Sequence, residues 1–98
     1  MPAYAVIQFE VSDPQQFESY KRLAGPTMAA HGGRLLARTG DVERLEEQTP
    51  IPSNLVLVAF DSVEAARRWY ASPEYRSAIA ARETAATMTI AVLDGAGA

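Results

Sequence analysis

Residues 54–60 read Asn-Leu-Val-Leu-Val-Ala-Phe and form the most strand-like stretch of the chain. Valine and phenylalanine favour strands, and a run that is apolar at odd and even positions alike is typical of a central strand covered on both faces. The residues before it, Thr49-Pro50-Ile51-Pro52-Ser53, predict a loop, and Ser62 after it predicts the N-cap of a helix. We therefore place this strand at the centre of a sheet.

Three further strands are predicted at 3–11, 34–39 and 88–93, and a polar strand or arm at 42–47 follows the Gly40-Asp41 turn. In the strand at 34–39, simple alternation places Arg34 and Arg38 on one face together with Leu36. An arginine of this strand could then pair with Glu10 of the first strand, either as a rim or interface salt bridge or to orient an anionic ligand.

A capping residue followed by proline marks two predicted helix starts, at Asp13-Pro14 and at Ser72-Pro73. Ser62 caps the helix between them. In the first helix Gln16 is placed to close a capping box with Asp13. We therefore expect three helices, of which the second and third meet at a bend.

The first helix contains Gly25-Pro26, which predicts a kink or a restart, and Gly32-Gly33, which predicts a left-handed C-terminal stop. The faces expected to be buried follow from helical spacing. They are Phe17, Tyr20, Ala24 and Met28 in the first helix, Ala66, Trp69 and Tyr70 in the second, and Tyr75, Ala78, Ile79 and Arg82 in the third.

The element order β-α-β-(β)-β-α-α-β matches the split βαβ pattern of ferredoxin-like α+β folds, an antiparallel sheet with its helices on one face. If the helices cover Ile7 and Val58, the opposite face still exposes apolar side chains, and such a face needs a cover. These side chains are Tyr4, Val6, Leu36, Leu55 and Leu57. A second copy packed sheet on sheet, closing a barrel across a two-fold axis, supplies that cover, so we predict a homodimer.

The chain has 98 residues, 48% of them hydrophobic and 21% charged, which is typical of one globular domain. We assign residues 1–95 to this domain and 96–98 to a flexible tail of small residues. The formal net charge of −3 argues against nucleic acid and against a membrane surface as partners. The chain has no cysteine, no signal peptide and no apolar run of membrane-spanning length, so a cytoplasmic location is the default expectation.

Several strings along the chain resemble those of one known family. They are Tyr4-Ala5-Val6, Asp13-Pro14 with Phe17 and Tyr20, His31-Gly32-Gly33-Arg34 through Arg38, Leu45-Glu46 and, most specifically, Trp69-Tyr70-Ala71-Ser72-Pro73-Glu74-Tyr75 with Arg82 and Ala85. From Pro2 to about Gly95 the chain resembles the family named domain of unknown function 1330. That family is similar to the dimeric α+β barrel proteins, which include cofactor-free monooxygenases, muconolactone-type isomerases and haem-handling enzymes. The resemblance implies a dimer and a ligand cavity between helices and sheet, without assigning a reaction.

His31 is the one histidine of the chain and the candidate catalytic residue, because imidazole is the side chain that most readily exchanges protons near neutral pH. It also stands at a predicted helix end, where an imidazole can simply cap carbonyl groups, so a structural role is the competing interpretation. One histidine with no carboxylate at ligand spacing makes no metal site. We therefore predict no metal and no cofactor, with haem ligation through His31 as the remaining alternative.

The candidate ligand-binding residues are Tyr4, Tyr20, Arg38, Tyr70, Tyr75 and Arg82. Tyrosine combines a flat ring that stacks on an aromatic ligand with a hydroxyl that needs a partner when buried. Trp69 and Phe17 are interpreted as packing residues. Arg82 falls on the apolar stripe of the last helix, where its charge requires either a structural partner or an anionic ligand.

These features predict a homodimeric α+β barrel protein that binds a small apolar or aromatic molecule in a cavity between helices and sheet. One alternative is a cofactor-free monooxygenase or isomerase acting on such a ligand, with His31 or a tyrosine as the proton-transfer group. The second alternative is a purely structural dimerisation or interaction domain, in which side chains fill the presumed cavity.

Overall fold

The four strands form one antiparallel sheet whose spatial order, β2-β3-β1-β4, differs from their order along the chain. The computed structural model describes residues 2–95. The elements are β1 (Ala3–Val11), α1 (Pro14–Ala30), β2 (Arg34–Thr39), β3 (Asn54–Phe60), α2 (Val63–Ala71), α3 (Pro73–Arg82) and β4 (Ala86–Asp94). Together they make the predicted α+β ferredoxin-like fold, with the stretch 54–60 as a central strand.

Two strand predictions need correction, and one prediction falls outside the described residues. Residues 42–47 form no strand and belong to an irregular arm between β2 and β3. Strand β4 begins at Ala86 rather than Met88, because the ladder with β1 extends as far as Val11, which lies opposite Ala86. The predicted flexible tail at 96–98 lies outside the described residues.

All three predicted N-caps form. The carboxylate of Asp13 accepts from Gln16 N at 3.1 Å, Ser62 Oγ accepts from Ala65 N at 3.1 Å, and Ser72 Oγ accepts from Tyr75 N at 3.2 Å. The capping box predicted for α1 is wrong. The Asp13 amide donates to the carbonyl of Ala85 instead, and the Gln16 side chain accepts from Thr84.

Helix α1 is continuous through Gly25-Pro26, so of the two expected alternatives, a kink or a restart, the restart does not occur. Proline removes one backbone hydrogen bond, and burial of one helix face offsets that loss. This face consists of Phe17, Tyr20, Ala24 and Thr27. The predicted stop is confirmed: Gly32 has φ +80°, and the amides of Gly32 and Gly33 donate to the carbonyls of Ala29 and Met28, which is a Schellman motif.

The core lies between the helices and one face of the sheet. Trp69, Tyr75 and Phe60 are its largest fully buried side chains. The ring of Trp69 lies 4.4 Å from that of Tyr75 and 5.6 Å from that of Phe60, measured between centroids, so α2 and α3 are held together on the sheet by aromatic contacts. The helices and the sheet make a two-layer slab of 37 × 36 × 17 Å, and no element among residues 2–95 covers the other face of the sheet.

A β-bulge in β2 overturns the predicted face of Arg38. Arg34 lies opposite Ala59, but the register shifts between Leu35 and Ala37, so that Arg38 lies opposite Val56. Residues directly opposite each other in an antiparallel pair share a face, and the extra residue reverses the alternation beyond it. Arg34 therefore points away from the helices while Arg38 points towards them.

The predicted cross-strand pair with Glu10 is also absent, because β3 lies between β1 and β2. The Glu10 carboxylate accepts instead from the amide of Ser53 at 3.0 Å. Arg34 lies 3.5 Å from Asp61, and both side chains are largely exposed. Such a pair contributes little to stability, because water and salt screen exposed charges.

Candidate functional site

A cavity of about 920 Å³ lies between α1 and the sheet. It forms because α1 packs chiefly against α3, which leaves the β2–β3 side of the sheet uncovered beneath the helix. Its walls are predominantly apolar, and their main contributors are Ile7, Phe9, Phe17, Met28, Val56 and Val58. A volume of this size lies within the range typical of small-molecule sites, about 300–1,000 Å³.

A few polar groups stand around this apolar space. Tyr20 lines it from α1, while Arg38 and Asn54 line it from β2 and β3. Within residues 2–95, Arg38 has no ion-pair partner, whereas the amide of Asn54 donates to the carbonyl of Phe9 at 3.1 Å. Arg38 is thus the cation that the β-bulge directs into the cavity, and it can attract a negative or strongly polar group of a ligand.

Two of the predicted tyrosines meet beside the cavity. The hydroxyl oxygens of Tyr20 and Tyr75 lie 2.8 Å apart, and the Tyr20 hydroxyl also lies 3.7 Å from Sδ of Met88. Burial raises the pKa of Tyr20 above its ordinary value of 10.0, Tyr75 raises it further, and the charge of Arg82 acts in the opposite direction. Tyr20 is therefore a neutral hydroxyl, able to donate and accept, at all physiological pH values.

Arg82 lies beside this pair. Its guanidinium carbon is 5.8 Å from the ring centroid of Tyr20, and its Nε is buried without a hydrogen-bond partner. No carboxylate of residues 2–95 forms an ion pair with it. Of the two sequence-based interpretations of Arg82, the structural ion pair is therefore absent from the described residues.

His31 is the C-cap residue of α1 and does not line the cavity. Its Nδ1 lies 3.0 Å from the carbonyl oxygen of Thr27, a group that the end of the helix leaves without an intrahelical partner. This contact matches the capping role weighed against catalysis. The site of His31 is therefore the helix end, not the cavity wall.

The remaining predicted tyrosines lie apart from the cavity. Tyr4 is on β1 opposite Ala59, on the sheet face away from the helices. Tyr70 is 37% exposed on α2, and the guanidinium of Arg76 lies 4.7 Å from its ring centroid. The structure thus brings together Tyr20, Tyr75 and Arg82, adds Arg38 across the cavity, and separates Tyr4 and His31 from them. Tyr70 packs on Tyr75, with ring centroids 5.6 Å apart, but does not line the cavity.

Some cavity residues were not identified from sequence. Phe17, assigned to packing, also lines the cavity, and Met88 lines it from β4. Glu18 and Lys21 stand at its rim, joined by an ion pair of 2.9 Å. Glu18 and Lys21 each follow a residue of the apolar stripe, Phe17 and Tyr20, and this spacing places them at the border of the buried helix face. Most amphipathic helices have charged residues at that border, so the spacing does not indicate a ligand site.

An arm comprising residues 40–53 leaves β2 at the mouth of the cavity, which Gly40 helps to line. Arg44 stabilises the arm: its guanidinium donates to the carbonyls of Val42 and Ile51, each at 3.0 Å, and to Glu47 at 3.0 Å. The Ile51 amide and, to a smaller extent, Arg44 hold the pKa of Glu47 below its ordinary value of 4.5. One arginine thus orders an otherwise irregular segment.

In the described part of the chain, no three His, Cys, Asp or Glu side chains come together as a metal-binding group. Nor does any helix among residues 2–95 have the length and apolar character needed to cross a membrane.

Comparisons with known proteins give the same fold. A family model described as a domain of unknown function, DUF1330, matches residues 2–96. Among solved structures, a protein of unknown function from Rhodopseudomonas palustris is 17% identical with a TM-score of 0.77, over 96% of this chain and 82% of that one. No curated protein matches the chain at the significance required.

Two further solved structures cover nearly the whole of both chains. SnoaB, a cofactor-independent oxygenase from Streptomyces nogalater, is 20% identical with a TM-score of 0.67, over 99% of this chain and 95% of that one. A dimeric ferredoxin-like protein of unknown function from Jannaschia sp. is 11% identical with a TM-score of 0.65, over 97% and 100%. Similarity at these identities establishes the fold.

Proposed function

The chain belongs to the family of the domain of unknown function DUF1330, and on that premise we propose that it binds a small apolar or aromatic molecule in the cavity between α1 and the sheet. The observation that supports this most directly is the cavity itself, about 920 Å³ with walls built from aromatic and aliphatic side chains. Apolar surface left open to water at this scale is typical of ligand sites. The open space also argues against a purely structural domain, which we expected to have its cavity filled.

The ligand would lie against Phe9 and Phe17, whose rings are 5.1 Å apart between centroids. Its polar group would face Arg38, which has no ion-pair partner within residues 2–95. An aromatic body with an acidic substituent fits both features, because stacking supplies affinity and the arginine fixes orientation.

The probe 1-anilinonaphthalene-8-sulfonate tests this proposal, since it has a flat apolar body and one anionic group. We expect one probe per chain and a strong rise in fluorescence. In Val56→Trp, where an indole occupies the cavity, we expect affinity to fall at least about tenfold, which corresponds to about 1.4 kcal/mol. The matched control is Leu23→Trp, a surface position of α1 that is 49% exposed and outside the cavity wall.

The proposal fails if Val56→Trp remains folded, by thermal denaturation, and still binds the probe as tightly as Leu23→Trp. Binding to a partly unfolded chain would instead appear as many weak sites and a lowered melting temperature. Arg38→Gln distinguishes the charge interaction from the apolar contacts. It should weaken binding of the sulfonate probe and leave binding of an uncharged naphthalene probe unchanged.

A second candidate function is a cofactor-free oxygenase or isomerase acting on the same ligand. The support is the fold shared with SnoaB, a cofactor-independent oxygenase, together with a buried tyrosine on the cavity wall that could move a proton. His31 would serve only if the ligand reached the end of α1. Anthrone is a suitable probe: its oxidation to anthraquinone consumes one dioxygen and releases one water. Uptake of dioxygen no faster than in buffer would exclude this activity for that probe class.

We also propose that the working unit is a homodimer formed through the sheet face that the helices leave bare. Tyr4, Val6, Leu55 and Leu57 lie on that face. An apolar sheet face of this kind is typical of a surface that another protein layer covers. The Jannaschia neighbour, which has the same fold, is itself dimeric.

A further inference from the structure

The hydrogen bond between the buried hydroxyls of Tyr20 and Tyr75, beside the cavity, has a defined donor and acceptor. Tyr75 is fully buried and Tyr20 is 5% exposed, and their oxygens are 2.8 Å apart, so each hydroxyl hydrogen needs an acceptor inside the protein. The question is which of the two tyrosines donates to the other.

If Tyr20 donated to Tyr75, the Tyr75 hydrogen would have no acceptor, because its only hydrogen-bond partner within residues 2–95 is Tyr20. A buried hydroxyl hydrogen without an acceptor loses the hydrogen bond that water gives it in the unfolded chain, so this arrangement is disfavoured. If Tyr75 donates to Tyr20, the Tyr20 hydrogen can point at Sδ of Met88, 3.7 Å away. The second arrangement satisfies both hydrogens, so the chain of hydrogen bonds runs from Tyr75 to Tyr20 to Met88.

The contact between the Tyr20 hydroxyl and Sδ of Met88 is the weakest hydrogen bond of this series. A thioether sulfur is a poor acceptor, and 3.7 Å is a long contact. Both Tyr20 and Met88 line the cavity. A ligand oxygen that reached this wall would therefore be a better acceptor than the sulfur and would take over the Tyr20 hydrogen.

Arg82 makes the Tyr20 hydroxyl a stronger hydrogen-bond donor. It lies 5.8 Å from the Tyr20 ring and does not line the cavity, so it acts through Tyr20 rather than on the ligand. Within residues 2–95 no carboxylate neutralises it. A positive charge beside a phenol makes the hydroxyl a stronger hydrogen-bond donor.

We infer that the ligand carries a hydrogen-bond-accepting oxygen of the carbonyl class, held by the hydroxyl of Tyr20, with Tyr75 and Arg82 as positioning residues. This inference rests on the proposed binding function and narrows it. An apolar body lies between α1 and the sheet, and its ketone, quinone or ester oxygen reaches Tyr20. The four predicted tyrosines thereby have different roles. Tyr20 contacts the ligand, Tyr75 orients the Tyr20 hydroxyl, and Tyr4 and Tyr70 do not line the cavity.

Two uncharged probes of equal shape test the inference. 2-Acetylnaphthalene has a carbonyl oxygen where 2-isopropenylnaphthalene has a methylene group. We expect the wild-type chain to bind the ketone about 3- to 10-fold more tightly than the alkene, the range for one neutral hydrogen bond. In Tyr20→Phe this preference should disappear, while the alkene affinity stays the same.

The infrared carbonyl stretch of the ¹³C-labelled ketone is a second measurement, and it would not change if Tyr20 had only a structural role. Bound to the wild type, it should lie at lower frequency than in Tyr20→Phe. In Tyr75→Phe and Arg82→Gln it should lie between the two, and Arg82→Lys should restore part of the shift. Because Tyr20→Phe leaves the Tyr75 hydroxyl without a partner, the double variant Tyr20→Phe/Tyr75→Phe serves as the folded control.

The outcomes separate the two proposals. If the wild type binds neither naphthalene, the proposed binding function fails. If it binds both equally, with a carbonyl stretch that Tyr20→Phe does not change, the binding function stands and the inference about Tyr20 is overturned.

Discussion

The indole Nε1 of Trp69 on α2 donates a 3.0 Å hydrogen bond to Oγ1 of Thr27 on α1, and both groups are buried. The same Oγ1 donates to the carbonyl of Ala24 at 2.6 Å. Thr27 directly follows Pro26, the residue that cannot donate within the helix. One hydroxyl therefore joins two helices at the point where the backbone hydrogen bonding of α1 is interrupted.

Replacing Thr27 by valine keeps the shape and removes this acceptor. We expect the free energy of unfolding to fall by about 1–3 kcal/mol, because the indole N–H would be buried without a partner. Urea denaturation measures the change. Thr27→Ser keeps the hydroxyl and should lose less than Thr27→Val; equal losses in the two variants would mean that the methyl group, and not the hydrogen bond, matters.

Gly32 should tolerate asparagine better than alanine. Its φ of +80° lies in the left-handed region, where a Cβ costs about 1–2 kcal/mol, and asparagine adopts that region more readily than alanine does. No neighbouring atom lies within 4 Å of a Cβ built on this residue, so the backbone conformation is the only obstacle. Guanidinium denaturation of Gly32→Ala and Gly32→Asn gives the comparison, and an alanine variant as stable as the wild type would contradict the argument.

A charge at Leu57 should convert the proposed dimer to single chains. Leu57 lies opposite Val6 and Ala37 at the centre of the bare sheet face, where a carboxylate would have to be desolvated in a dimer. We expect Leu57→Glu to halve the mass measured by light scattering at micromolar concentration. Leu23→Glu, on the exposed side of α1, is the matched control and should leave the mass unchanged; a wild-type mass equal to one chain would refute the dimer itself.

The chain should lose stability in alkaline solution partly through Tyr20. Its pKa is raised in the folded state above the ordinary 10.0, so the folded chain keeps this proton more firmly than the unfolded chain does. Below pH 10.0 the Tyr20 hydroxyl keeps its proton in both states, and the free energy of unfolding does not depend on its titration. Above pH 10.0 the free energy of unfolding falls, because the unfolded state releases a proton that the folded state retains. Urea denaturation between about pH 9 and 11 should give a shallower decline for Tyr20→Phe than for the wild type.

Much of the fold could be predicted because its signals are local. Asp13-Pro14 and Ser72-Pro73 place a side-chain acceptor and a rigid φ within adjacent residues, and each forms the expected cap. The strand at 54–60 is recognisable from its apolar run, and it lies between β2 and β1 in the sheet as a central strand does. The bare sheet face follows from the same alternation on the first strand.

The site could be predicted only in part, because its geometry depends on contacts between distant residues. Tyr20 and Tyr75 are each buried for reasons visible in their own helices, but nothing in the sequence states that their hydroxyls, 55 residues apart, meet at 2.8 Å. Alternation places Arg38 on the same face as Arg34, and this is wrong because alternation assumes a regular strand. The ladder with β3 alone reveals the extra residue.

Strand β2 has one residue more than its pairing with β3 requires. Leu36 is that residue: Leu35 still lies opposite Val58, and Ala37 lies opposite Leu57. In most strands, loss of one residue turns every following side chain to the other face. Here a chain shortened at position 36 would keep Ala37 and Arg38 opposite their present partners and would make the strand regular between Leu35 and Ala37. Loss of this one residue therefore leaves the charge that lines the cavity in place.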